Sequence, residues 1–227
     1  TAEKLGESAA NTHFDYWFLE DIPYGETNRL EGFLFPATYD FYVNDDPARV
    51  LEKMLSNFNR KFSDDASAQL ETLNTALAER WTAKGYDESY IEAHRMTIYD
   101  LVTVASMIEK ESINDDAERK NIASVLYNRM NNSSVETAGF LQVDATIDYA
   151  LKLQGKDHSS FTTSLDSPYN TYLHKGLPAG PICSPSLSSI KAAIYPNQTD
   201  YYFYALGKDG VHHFFKTYAE HLNFINS

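Results

Sequence analysis

The feature that most constrains this chain is one long apolar stretch with helical spacing, residues 98–112. Leu101, Val104, Ala105 and Ile108 recur at intervals of three and four residues, as side chains do on the buried face of an α-helix. A helix this apolar must be covered by other elements of the fold. The spacing therefore predicts a buried helix over residues 98–112.

One carboxylate, Glu111, falls on the apolar face of that helix. At about 100° per residue, Glu111 returns to within about 20° of Val104 on the helical wheel, whereas Lys110 points away. Burial raises the pKa of a carboxyl group, because desolvation disfavours the charged form. A glutamic acid that stays protonated near neutral pH is what general acid catalysis requires. The alternative is a structural glutamate that bonds an arginine or a helix start.

The rest of the chain contains several further elements. Residues 1–30 are predicted to form a short helix and a loop, and Leu30–Phe41 an extended, buried segment. Gly85 is a suitable helix end, and Asp115 with Glu118 has the spacing of a capping box after Asn114. Further helices are expected over 47–62, 66–84, 115–130, 145–153 and 186–195 and at the end of the chain. Loops are expected over 131–139 and 155–185. A β-hairpin is expected over 200–206 and 211–216.

Composition excludes some classes of function. The net charge of −13 argues against nucleic acid or an anionic membrane face as the main partner. Cys183 is the single cysteine, so no intrachain disulfide can form. No apolar run reaches the roughly 18 residues of a membrane span. The chain begins at Thr1 without a signal segment, so we expect it to be a piece of a longer protein. The 16 tyrosines suit sugar binding, although core and surface packing also explains them.

Five blocks in order carry a resemblance to a known family. They are LEGFLFPATY (30–39), TVASMIEKES with AER and IASVLYNRM (103–130), LQVDATIDYA (141–150), SPYNTYLHKGLPAGPICSP (167–185) and HFFKTYAEH (213–221). On these blocks the sequence resembles the YceG-like, or MltG-type, endolytic murein transglycosylases. It departs from the family pattern at Ala37, Ala145 and Ala179, which affects the expected loop shape and glycan preference rather than the reaction.

The resemblance implies a fold and an activity. The fold is α+β and mainly helical, with a lysozyme-like catalytic core and a small β element. Residues 1–30 would be an N-terminal linker, and 31–227 the catalytic domain, without the membrane anchor and LysM-like module usual in the family. The activity is cleavage of the MurNAc-β-1,4-GlcNAc bond with formation of 1,6-anhydro-MurNAc ends. Glu111 would be the single acid and base, whereas a glycosidase that uses water normally needs two carboxylates.

The resemblance also implies the biological setting. Peptidoglycan glycan strands are the expected substrate and peptidoglycan synthases the expected partners, with no nucleic acid, cofactor or metal. The full-length protein is expected on the cell-surface side of the bacterial cytoplasmic membrane, with the membrane contacted only through its anchor.

Eight further residues are candidates for binding substrate. Gln142 and Asp144 would hydrogen-bond a sugar or orient Glu111, or else form a polar loop start with a helix cap. His213 would bond substrate or a backbone carbonyl. Glu31 is either a second carboxylate of the cleft or a buried ion-pair partner. The remaining candidates would line a sugar subsite or form a turn packed by tyrosines: Tyr169, Asn170, Thr171 and Tyr172.

Two rival functions remain open at this point. The first is a muramidase that uses water and pairs Glu111 with Asp144 or Glu31. The second is a non-catalytic glycan-binding or scaffold domain of the wall synthesis machinery.

The residues give little support for other catalytic chemistries. Helix capping explains the acidic residues at 115–118, no spacing typical of a metal site occurs, and no lysine is singled out for pyridoxal phosphate. A nucleophilic Cys183 would need His174 or His213 as its partner.

Overall fold

In the computed structural model of the protein, the described residues are 1–20, 22–62, 66–113, 115–130 and 136–227. Over these ranges the chain is mainly helical with one small antiparallel sheet. The helices are α1 (Ala2–Asn11), α2 (Pro47–Phe62), α3 (Ala66–Ala83), α4 (Glu88–Ala93), α5 (Ile98–Glu111), α6 (Asp116–Met130), α7 (Asp144–Leu153), α8 (Leu187–Ile194) and α9 (Tyr218–Ile225), and the strands are β1 (Phe203–Leu206) and β2 (His212–Phe215).

Helix α5 is the buried helix predicted over residues 98–112, and this prediction is confirmed. Thr97 begins it with a capping box, in which Asp100 is the reciprocal partner. Every residue from Leu101 to Ile108 is buried. Helices α6, α7 and α8 all contact α5, so it is covered on several sides. Glu111 is the last residue of α5 and therefore lies at the edge of the core.

The segment Leu30–Phe41 begins with turns, so the prediction of an extended segment is wrong over residues 30–34, and residues 36–38, 40 and 41 are exposed rather than buried. Residues 27–33 form consecutive turns, in which Leu30 and Phe33 are buried. Gly32 explains the difference, because its φ of +92° is a conformation that other residues rarely adopt. A Cβ at Gly32 would lie 2.6 Å from Val102 Cγ1, so the turn packs its backbone directly on α5.

Most of the other expected elements are confirmed, with small differences. The hairpin has shorter strands than expected, and α4 was not expected at all. Gly85 follows α3 with φ +89°. Asp115 caps α6 by accepting from the Glu118 N–H at 2.7 Å, but the Glu118 carboxylate does not complete a capping box. It accepts from the Ile113 N–H at 2.7 Å instead. Asn114 and residues 131–135, predicted as a helix start and part of a loop, lie outside the described residues.

Side chains that precede residue 30 share the core of the rest of the chain. Phe18 packs against Phe33 with ring centroids 5.3 Å apart and against Phe58 at 4.8 Å. Helix α1 contacts α2. The division at residue 30 stays a prediction. Among the described ranges, no helix has both the length and the apolar character that crossing a bilayer requires.

Candidate active site

The carboxyl group of Glu111 lies where α5, α7 and the hairpin meet. Its Oε2 accepts a hydrogen bond from the Tyr204 hydroxyl of β1 at 2.8 Å. The backbone N–H of Ala145, in the first turn of α7, also bonds the carboxyl group. Burial raises the pKa of Glu111, and the negative charge of Asp144 raises it further, against the lowering effect of the two hydrogen bonds and of His212. The upward shift expected from the helical wheel is therefore present.

Arg129, near the end of α6, ties together the two segments that supply these partners. Its Nε donates to the Tyr202 carbonyl at 2.6 Å, next to β1, and its Nη1 donates to the Leu141 carbonyl, which precedes α7. Arg129 is 6% exposed, and desolvation lowers the pKa of its guanidinium, against the raising effect of Tyr204, Tyr172 and Glu111. A single buried cation thus positions both sides of the Glu111 site.

The histidine that faces this site is His212, not His213. Tyr204 pairs with Phe214 and Ala205 with His213 across the hairpin. Successive residues of a strand point to opposite faces, so His212 shares the face of Tyr204 and His213 lies on the other. His213 bonds Asp209 at 2.8 Å and its side chain is 40% exposed. The His212 side chain is 10% exposed. The candidate His213 is therefore placed away from Glu111.

Asp144 and Tyr172 are brought to the site as a bonded pair. The Tyr172 hydroxyl donates to Asp144 Oδ1 at 2.5 Å. Burial raises the pKa of Tyr172, and the hydrogen bond to Asp144 raises it further, so the hydroxyl stays protonated and remains a donor. Gln142 lies two residues before Asp144 in a left-handed conformation, φ +53°. Its N–H donates to the Thr171 carbonyl at 3.1 Å.

Asn170 and Thr171 are buried beneath this surface and are 0% and 1% exposed. The Asn170 amide donates to the carbonyls of Thr163 and Leu165 at 3.0 and 2.7 Å, and its Oδ1 accepts from the Tyr172 N–H at 2.9 Å. The Thr171 hydroxyl accepts from the Val143 N–H at 2.9 Å. Both side chains are therefore occupied in holding the two loops together, as in the alternative of a packed turn.

Glu31 and Tyr169 form a second cluster rather than joining the Glu111 site. Burial raises the pKa of Glu31, while Lys110 and the Gly32 N–H lower it. The Tyr169 ring packs on Tyr149 with centroids 4.8 Å apart, and Tyr149 accepts a hydrogen bond from Asn28 at 3.2 Å. The charge of Glu31 raises the pKa of both tyrosines, after burial itself, so the three groups are neighbours.

Glu109 lies two residues before Glu111 on α5, and its surroundings shift its pKa in the opposite direction. Its Oε2 accepts from the Ser186 N–H at 3.2 Å, the Ser186 hydroxyl at 2.6 Å and the Ser189 hydroxyl at 2.5 Å. Burial on its own would raise the pKa of Glu109, but these hydrogen bonds and the charge of Arg119 lower it overall. Glu109 is thus an ionised anchor for the start of α8.

Cys183 does not have the environment of a nucleophile. Its Sγ donates to the Ser106 carbonyl at 3.4 Å. Burial raises the pKa of the Cys183 thiol to about 12, so the thiolate is scarce at neutral pH. Within the residues that the structure describes, histidine, cysteine and carboxylate side chains form no cluster that could hold a metal ion.

Sequence reasoning did not single out Tyr204, His212 or Arg129. The hairpin itself was predicted, but both of its faces carry aromatic residues: Tyr204 and Phe214 on one, Phe203 and Phe215 on the other. Alternation alone therefore does not say which face meets α5. A Tyr204–Glu111 bond joins residues 93 positions apart, and no local pattern encodes such a contact.

The fold and the site together define a mainly helical protein whose candidate site is organised around the carboxyl group of one glutamate. The chain belongs to the YceG-like family, whose model matches residues 1–227.

Named relatives agree with this membership. An endolytic murein transglycosylase from Bacillus subtilis is 35% identical over 196 residues, which are 85% of this chain and 46% of that protein. One from Streptococcus pneumoniae is 31% identical over 212 residues, 89% of this chain and 33% of that protein. The chain thus spans between a third and a half of these relatives. A crystal structure of a YceG-like protein from Listeria monocytogenes superposes with a TM-score of 0.67 at 30% identity, over 98% of this chain and 62% of that one.

Proposed function

We propose that this chain is the catalytic part of an endolytic peptidoglycan lytic transglycosylase, with Glu111 as its single general acid and base. The observation that carries the proposal is a partly buried carboxyl group with a raised pKa, bonded by the Tyr204 hydroxyl and the Ala145 N–H. The name of the Bacillus and Streptococcus relatives, endolytic murein transglycosylase, supplies the substrate class. The bond cleaved is the β-1,4 bond between N-acetylmuramic acid and N-acetylglucosamine.

In the first step Glu111 acts as an acid. Its raised pKa leaves a larger fraction of the carboxyl group protonated than an exposed glutamate has at the same pH. Because Tyr204 donates to Oε2, the proton of the acid is directed to Oε1, the other carboxyl oxygen. That proton passes to the bridging oxygen as the bond from this oxygen to C1 of the muramoyl sugar breaks. The N-acetylglucosamine leaves with a hydroxyl group, and positive charge develops on the muramoyl ring.

In the second step the same group acts as a base. The ionised Glu111 removes the proton of the muramoyl C6 hydroxyl, and the C6 oxygen forms a bond to C1. The product is a 1,6-anhydro ring, Glu111 is protonated again, and no water enters. The hydrogen bonds from Tyr204 and Ala145 both stabilise the carboxylate form. They therefore help the group at the moment when it must carry the charge.

Apart from His213, which lies on the other face of the hairpin, the remaining candidate residues fall into three groups in this proposal. Asp144, Tyr172 and Gln142 would contact the sugars next to the bond cleaved, since they surround Glu111 or precede α7. Glu31 and Tyr169 would contribute to a neighbouring part of the cleft. Because Asn170 and Thr171 are buried and bonded to backbone, they would shape the site without touching substrate.

A hydrolytic muramidase is the second candidate, and Asp144 is the observation that favours it. Its carboxylate is close enough to Glu111 to raise the pKa of that group. A second carboxylate could activate a water molecule or form a covalent intermediate. However, Asp144 Oδ1 already accepts the Tyr172 hydroxyl at 2.5 Å, so only the other oxygen is open to a water molecule or a sugar. Glu31, the other possible partner, lies beside Tyr149 and Tyr169 instead.

The test is digestion of purified peptidoglycan by this chain and by Glu111→Gln, with the products analysed by mass spectrometry. Anhydro-muramoyl ends from the unmodified chain alone are expected. Reducing ends would instead establish a hydrolase. If neither protein cleaves but both bind glycan equally, the chain is a binding or scaffold domain and the proposal is wrong.

The setting also remains part of the proposal. A lysozyme-like catalytic core, a position on the cell-surface side of the bacterial membrane and contacts with peptidoglycan synthases are consistent with a wall-cleaving enzyme. Co-purification of the full-length protein with cross-linked synthases would test the last of these.

A further inference from the structure

A buried pair of residues, His212 and Glu118, lies behind the Tyr204–Glu111 hydrogen bond. His212 Nδ1 is 3.3 Å from Glu118 Oε1, and the two side chains are 10% and 8% exposed. The geometry of the pair is not that of a hydrogen bond, so Nδ1 has no hydrogen-bond partner among the described residues. A buried imidazole nitrogen and a buried carboxylate at this distance form an ion pair when the ring is protonated.

The pair is connected to Glu111 in two ways. On one side the His212 ring meets the Tyr204 ring edge to face, with centroids 5.5 Å apart and an interplanar angle of 89°. On the other side Glu118 Oε1 accepts from the Ile113 N–H at 2.7 Å, two residues after Glu111. The pair therefore contacts both the ring of the tyrosine that bonds Glu111 and the chain that follows Glu111.

The geometry points to His212, anchored by Glu118, as a positioning residue that holds the Tyr204 hydroxyl against the Glu111 carboxyl group. The inference rests on the proposed function, because it assigns to His212 a role in the acid and base steps of Glu111. His212 touches neither the carboxyl group nor the substrate in this role, and it acts through Tyr204.

Other charged groups also face this site, and they determine what a change at His212 would do. Asp144 on α7 raises the pKa of Glu111, whereas a charge on His212 lowers it. Arg129 on α6 and Tyr172 lie nearby, and burial lowers the pKa of Arg129 and raises that of Tyr172. Because His212 lowers the pKa of Glu111, replacing it by a residue that cannot carry a charge should raise that pKa. The alkaline limb of the pH–rate profile, where Glu111 loses its proton, should then move to higher pH.

His212→Phe and His213→Phe are a matched pair of variants. Phenylalanine keeps an aromatic edge against Tyr204 but removes the ring nitrogens and, with them, the contact with Glu118. For His212→Phe we expect kcat to fall about 10-fold or more with KM nearly unchanged, and the alkaline limb to move up. His213→Phe carries the same change on the opposite face of β2 and should leave kcat, KM and the profile as they are.

Two milder variants distinguish a displaced Tyr204 side chain from a protein that fails to fold. Glu118→Gln keeps an acceptor for the Ile113 N–H but removes the charge that holds His212, so a smaller loss of kcat is expected. His212→Gln restores a polar donor toward Glu118 and should recover part of the activity lost in His212→Phe. Thermal unfolding of each variant identifies any that fails to fold, and the other two then decide the outcome.

Crystal structures of the two phenylalanine variants supply a readout that does not depend on activity. In His212→Phe the Tyr204 hydroxyl should leave hydrogen-bond distance of Glu111, while in His213→Phe it should stay at about the present 2.8 Å. Unchanged Tyr204 geometry in His212→Phe, or equal kinetics in the two variants, would overturn the inference. Full activity in Glu111→Gln would instead overturn the proposed function, so the two failures are distinct.

Discussion

Glu109 and Glu111 are two residues apart on α5, yet their surroundings shift their pKa values in opposite directions. Glu109 faces α8, where three hydrogen bonds from Ser186 and Ser189 outweigh burial and lower its pKa. Glu111 faces α7 and the hairpin, where burial and the charge of Asp144 outweigh the hydrogen bonds, and its pKa rises. Glu111 is also the more deeply buried of the two carboxyl groups. Stronger desolvation, the charge of Asp144 and fewer hydrogen-bond donors therefore act together to raise its pKa, whereas the donors of α8 lower that of Glu109.

The largest expected effect comes from replacing the two glutamates with the same residue. Glu111→Gln should reduce the rate of glycan cleavage by about 10²- to 10⁴-fold, because it removes the acid and the base. Glu109→Gln, the matched control, should retain most of the activity of each folded molecule. The measurement is the rate at which each variant releases anhydro products, divided by its folded fraction. Equal losses in the two variants would contradict the division of roles.

In stability the order of the two variants should be reversed, with the larger loss in Glu109→Gln. Glu109→Gln should lower the free energy of unfolding by about 1–3 kcal/mol, since hydrogen bonds to a charged acceptor are lost at the start of α8. Glu111→Gln should leave stability unchanged or raise it, because an amide does not carry the desolvation cost of a buried charge. Urea denaturation at pH 7 measures both values, and a more stable Glu109→Gln would be inconsistent with an anchoring role.

The pH dependence of stability should separate the two groups as well. Folding lowers the pKa of Glu109, so its contribution is present above the unfolded pKa and is lost as pH falls through the folded pKa. Folding raises the pKa of Glu111, so its contribution is present below the unfolded pKa and is lost as pH rises through the folded pKa. Unfolding curves from pH 3 to 8 for both Gln variants, relative to the unmodified chain, should diverge in opposite directions.

A smaller effect is expected at Asp144. Its charge raises the pKa of Glu111, so Asp144→Asn should lower that pKa and move the alkaline limb of the pH–rate profile to lower pH. This is the reverse of the shift expected for His212→Phe. A loss of activity as large as that of Glu111→Gln would identify Asp144 as a second catalytic carboxylate and favour the hydrolase.

The smallest effect should come from Glu31→Gln. Glu31 also has a raised pKa, but its neighbours are Lys110 and the tyrosine cluster rather than Glu111. Cleavage rates should change by only a few-fold, through substrate binding, and the products should still carry anhydro ends. Measurement of KM on isolated glycan strands would detect the change, and a large fall in kcat would mean that the two carboxyl groups act together.

Much of the fold could be predicted because its helices follow local rules. The apolar spacing of α5, the caps and glycines at helix ends, and the turn of the hairpin all depend on neighbours within a few residues. The turns at 27–33 could not be predicted in this way. Their conformation depends on Gly32 packing against Val102, which lies 70 residues further along the chain.

By itself the sequence determined that Glu111 lies on the buried face of a helix and that the chain resembles the YceG-like family, since periodicity and ordered blocks need no coordinates. Only the tertiary structure decided what surrounds that carboxyl group. Tyr204 and Ala145 reach Glu111 from elements far apart in the chain, and His212 lies against Tyr204. Which face of the hairpin turns inward depends on packing against α5 and α6. Burial and hydrogen-bond donors come from these long-range contacts, and they are what set the pKa of an acid.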